Sequence, residues 1–162
     1  MGYYGLNNTQ IPPFIPALLK PARKYVYLMP CAPETQVPTI GLTAKNVGLF
    51  VEVILGKPEL TQPAKYVERI VDIISNDKLM ELVAELSGKQ IEYVTMHGEK
   101  YQKLWPYRFG LEVAQQMGGW EIAKENCWKL PGETSVAKED LKIEGLVGVR
   151  EALSSVDWTT VF

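Results

Sequence analysis

At 162 residues the chain has the length of one domain, and 46% hydrophobic with 22% charged residues is the composition of a globular protein with a real core. Seventeen basic residues against nineteen acidic ones leave a formal charge of −2. That balance excludes nucleic-acid binding through bulk phosphate attraction, and it excludes an acidic tail or a polybasic membrane patch. Cys31 and Cys127 are too few for a disulfide framework. The N-terminus lacks the Lys/Arg start of a signal peptide, and no run approaches the ~20 apolar residues of a membrane span. The expectation is a cytoplasmic α/β protein, one domain over residues 1–162, with no nucleic-acid and no membrane partner.

In chain order, residues 1–24 read as a strand end, a polar bend at Asn7–Asn8–Thr9, and a short helix or loop broken by Pro12, Pro13 and Pro16. The basic cluster Lys20–Lys24 reads as a solvated linker. Tyr25–Met29 is a β-type run closed by Pro30, Cys31–Gln36 a turn, and Val37–Leu42 a second short strand. Val47, Phe50, Val51, Ile54 and Leu55 recur at helical spacing behind Thr43 as N-cap, with Gly56 and Pro58 as the stop. Lys65–Ile74 fits both periods, and its β-branched residues favour a strand. A second helix starts at Ser75, carries Leu79, Leu82, Val83 and Leu86 on one face, and ends at Gly88. Glu81 and Glu85 sit on its opposite, solvated face. Lys89–Met96 alternates as a strand, Gly98–Trp120 is helical and rich in aromatics, and a last helix runs near Leu146–Leu153.

Catalytic motifs are scarce. One histidine, His97, rules out metal motifs that need two, and neither cysteine stands near it in sequence. A nucleophilic pair of His97 with Cys31 or Cys127 has no local support. No serine sits in a Gly-x-Ser-x-Gly elbow, and no phosphate-cradling Gly-x-x-x-x-Gly-Lys loop is present. Among the thirteen glycines, Gly2–Gly5 and Gly145–Gly148 show the shortest useful spacing, and neither follows a strand and opens a helix with a third glycine. A dinucleotide loop needs that geometry for its backbone to approach the pyrophosphate. Nor does a Tyr-x-x-x-Lys occur.

The order of segments nevertheless resembles a family. VPTIGLTAKNVGLFVEVIL (37–55), KYVERIVDIISNDKLMELVAELSGKQIEYVTM (65–96), YQKLWP (101–106), GLEVAQQM (110–117) and Val156–Asp157–Trp158 together resemble the C-terminal half of fungal NmrA-like proteins, atypical short-chain dehydrogenase/reductases. MGYYGLNNTQ at the start is similar to the segment that follows the family's central strand. The resemblance implies an α/β fold: the C-terminal, substrate-binding part of a Rossmann-type NmrA-like fold, without the glycine-rich dinucleotide-binding half. NAD(P) is then a cofactor of a Rossmann half, and this chain alone holds none.

Under that resemblance Tyr3, Tyr4, Asn7 and Asn8 run beside the nicotinamide and substrate. Met29, Trp105, Tyr107 and Phe109 are the remaining candidates for the cleft wall, since aromatics offer flat apolar surface with a polar edge. Catalytic residues are not assigned, and no metal is expected. The expected partners are a small, aromatic-type substrate and either a second copy or a Rossmann-bearing chain. Three functions stand open: the substrate half of an NAD(P)-dependent oxidoreductase or redox-sensing regulator, a cofactor-free isomerase or cyclase of secondary metabolism, and a non-catalytic binding module.

Overall fold

The alternating run Lys24–Met29 forms strand β2, and the computed structural model places it at the centre of the principal sheet. The structure describes residues 9–63, 65–105, 108–124 and 132–162. Strand β1 (Ala17–Leu19) returns antiparallel to β2 through a 3₁₀ turn at Lys20–Ala22, with Arg23 in the left-handed region. The basic cluster is solvated as expected, and it is the tight hairpin connection between the two strands. Strand β6 (Ile91–Thr95) lies parallel to β2 on its other side, Tyr25 opposite Ile91 and Met29 opposite Thr95.

Between these parallel neighbours runs a long crossover, as parallel pairing requires. It contains β3 (Gln36–Thr39), α1 (Thr43–Gly56), β4 (Tyr66–Val67), β5 (Asp72–Ser75) and α2 (Asn76–Ser87). The expected single strand over Lys65–Ile74 is two strands in two sheets. β5 pairs antiparallel with β3, whereas β4 pairs parallel with β7 (Ser135–Val136). After β6 come α3 (Gly98–Gln102) and α4 (Phe109–Ala123), so the helical stretch expected over Gly98–Trp120 is interrupted between them. Helices α5 (Lys138–Leu141) and α6 (Val149–Ser154) follow, and a 3₁₀ turn at Trp158–Thr160 closes the described chain.

Helix ends follow local chemistry at the C-terminus of α2 but not at the N-termini of α1 and α2. Gly88 ends α2 with φ of 69° and donates its N–H to the Ala84 carbonyl, the left-handed stop that glycine permits. Ser75 holds the N-cap position of α2. Thr43, however, is the first residue of α1, and Leu42 is its cap, without a side-chain bond. α1 is instead anchored by Asn46, described below.

The buried residues form two clusters. The larger gathers Tyr27, Met29 and Cys31 from β2 and its exit, Val37, the apolar face of α2, Tyr101, Val113, Met117 and Trp120 from α3 and α4, and Leu153 from α6. The smaller joins Ile40, Phe50, Val71, Val136 and Leu141. Among the described residues no helix is long and apolar enough to cross a membrane.

Candidate functional site

In α/β proteins ligands bind outside the carboxyl ends of parallel strands. Here that end is built by the exits of β2 and β6. Chain leaving β2 through Pro30 turns at Cys31–Thr35 and offers its carbonyls to the first turn of α2. Asn76 N–H donates to the Thr35 carbonyl at 3.2 Å and Asp77 N–H to that of Pro33 at 3.0 Å. These bonds satisfy N–H groups that a helix start leaves open. Ser75 Oγ turns to the Asp77 carboxylate instead of capping the helix.

Cys31 lies at the centre of the buried network that results. Its Sγ is 3.5 Å from the Tyr93 hydroxyl, which itself donates to the Cys31 carbonyl at 3.1 Å. Thr95 Oγ1 donates to the same carbonyl at 3.3 Å. The Asn76 side-chain amide donates to Cys31 Sγ at 3.5 Å and to the Thr35 carbonyl at 3.3 Å, and its Oδ1 has no partner among the described residues. Glu121 of α4 reaches over to accept from the Ala32 N–H at 3.3 Å.

The electrostatics keep this network neutral. Burial pushes the Cys31 thiol up, against the pull of the Tyr93 and Thr35 hydroxyls. Burial, with Cys31 beside it, also drives the Tyr93 hydroxyl far above the ordinary phenol range. A thiol held protonated is a poor nucleophile and a phenol held protonated a poor base. The geometry therefore orients and donates hydrogen bonds; it does not supply a thiolate. His97 is not part of it: the residue is exposed, and its backbone carbonyl accepts the Lys100 and Tyr101 N–H groups that start α3.

Of the residues expected at the substrate, Tyr3, Tyr4, Asn7, Asn8 and Tyr107 lie outside the described residues, as does Cys127. Met29 has no exposed surface and belongs to the larger core cluster, which corrects its expected place on a cleft wall. Its neighbours in strand alternation, Tyr27 and Cys31, are buried on the same side. Trp105 is half-buried against that cluster, its ring centre 6.2 Å from that of Tyr101. Neither the Trp105 indole N–H nor the Tyr101 hydroxyl makes a hydrogen bond of normal geometry with the described residues. Burial raises the Tyr101 hydroxyl, with the indole beside it pulling the other way. Phe109 is at the surface, 36% exposed, and meets Phe14 edge-to-face at 6.4 Å. Met29 thus lies inside the larger core cluster, Trp105 packs against it, and Phe109 touches it through Phe14.

Two of the crevices among the described residues are lined by none of those three side chains. One, of about 480 Å³, separates α3 from the start of α4 and is lined by Glu99, Gln102, Lys103, Arg108 and Leu111. The other, of about 400 Å³, lies between β5 and α5, where Lys138 Nζ donates to the Val71 carbonyl and Asp72 accepts the Val149 N–H at 2.7 Å. The polar groups of this second crevice tie elements together. No set of three His, Cys, Asp or Glu side chains among the described residues is placed to hold a metal ion.

Sequence reasoning missed Asn46 and Asn76, both fully buried. The signal was present: Asn46 is one turn from Phe50, and Asn76 one turn from Met80, so each amide sits on the apolar face of its helix. In comparisons with known proteins the chain matches no family model and no characterised sequence.

Proposed function

We propose that this chain is the substrate-side half of an NmrA-like protein, an NAD(P)-dependent oxidoreductase or a redox-sensing regulator, and that the dinucleotide is held by a Rossmann half outside these residues. The observation that carries the reading is the parallel β2–β6 pair joined by a crossover through α1 and α2. The segments that resemble the family, 37–55 and 65–96, supply that crossover and β6 in the order the resemblance implies. A parallel pair of this kind presents its strand exits to a ligand. The neutral Cys31–Tyr93–Asn76 network lies buried at these exits, and the half-buried Trp105 and exposed Phe109 are the aromatic surface available to a small aromatic molecule. The protonated thiol and phenol favour binding and orientation over acid–base turnover by this half, which sets the cofactor-free isomerase behind the other two readings.

Calorimetric titration tests the proposal. NADPH is expected to bind this chain no more tightly than millimolar, while an aromatic ligand binds and quenches Trp105. Micromolar NADPH binding would overturn the division of labour. Loss of all aromatic binding would remove the substrate-side assignment.

A further inference from the structure

We draw no further inference here: the strongest candidate, the face of the principal sheet opposite Tyr27 and Met29, where Ala17, Leu19, Val26, Leu28 and Val94 lie outside both core clusters, is an unpartnered apolar face, and nothing in the structure shows what covers it.

Discussion

Replacing Asn46 with alanine is the sharpest probe of how the crossover is held. The side chain has no exposed surface, and its Nδ2 donates to the carbonyls of Ile40 at 2.6 Å and Val147 at 2.8 Å, while its Oδ1 accepts the Val147 N–H at 2.9 Å. One amide thus fastens the start of α1 both to the exit of β3 and to a loop a hundred and one residues away. Alanine strands the Val147 N–H, a loss of ~1–3 kcal/mol, and removes two further bonds of ~1 kcal/mol net each. The Val147 carbonyl keeps a weaker bond from Leu42 N–H at 3.3 Å, which offsets part of the total. A loss of ~3 kcal/mol is expected, a drop of ~10 °C in melting temperature for a chain of this size. Asn46→Asp separates hydrogen bonding from volume. It keeps the acceptor but turns the donor into a carboxylate oxygen facing two carbonyls, so its pKa rises on folding. Its deficit should be smallest below the unfolded carboxyl value near ~4 and grow as pH rises through the folded one. Urea unfolding at several pH values reads both variants. A loss under ~1 kcal/mol for Asn46→Ala, or a pH-independent Asn46→Asp, would refute this account of the anchor.

Gly41 has φ of 62°, and a Cβ there would lie 2.0 Å from the Val147 carbonyl oxygen, so Gly41→Ala is expected to cost ~3 kcal/mol or more by thermal melting. Gly110→Ala, whose Cβ would come within 2.9 Å of Gln102 Cα, should spread α3 from α4 and expose Trp105, seen as a red shift of its fluorescence. Because burial raises the Cys31 thiol and the Tyr93 hydroxyl, the native state resists ionisation that the unfolded chain permits. Stability should therefore be level below the unfolded thiol value near ~8.5 and fall as pH rises above it, and Cys31→Ala should remove the first part of that fall. Trp105→Ala should cost ~2 kcal/mol, less than the ~3–5 kcal/mol of a fully enclosed aromatic, while weakening aromatic ligands. A large melting loss with unchanged affinity would return Trp105 to a purely structural role.

Elements with one dominant periodicity were legible in the sequence. α1, α2 and β6 each have an apolar face at a single period and a stop at glycine or proline, and the structure places all three within a residue or two of the expected spans. What was not legible depended on long-range pairing. Lys65–Ile74 suits a strand throughout, yet Tyr66–Val67 is claimed by Ser135–Val136 and Asp72–Ser75 by Gln36–Thr39, and local pattern carries no record of either partner. β7 and α5 are too short to show any period. Thr43 reads as a cap by type, but Asn46 fixes the start of α1 by reaching outside the helix. At the site, Met29 belongs to a strand whose alternation is equally compatible with a cleft wall and a core. Only its complete burial within the larger cluster decides for the core. Trp105 and Phe109 read as cleft-wall candidates from their aromatic type alone; Trp105 packs half-buried against the larger core cluster and Phe109 meets Phe14 at the surface.

The central claim, that these residues form a substrate-side half and the dinucleotide belongs elsewhere, is tested most directly by the melting temperature of the chain in millimolar NADPH. Binding to the folded state alone raises stability by RT ln(1 + [L]/Kd). Millimolar affinity gives ~0.4 kcal/mol at that concentration and a shift of ~1 °C; micromolar affinity gives ~4 kcal/mol and a shift of ~10 °C. The account predicts the smaller shift. The larger one would show that this chain carries a dinucleotide site of its own, and the proposed division would be wrong.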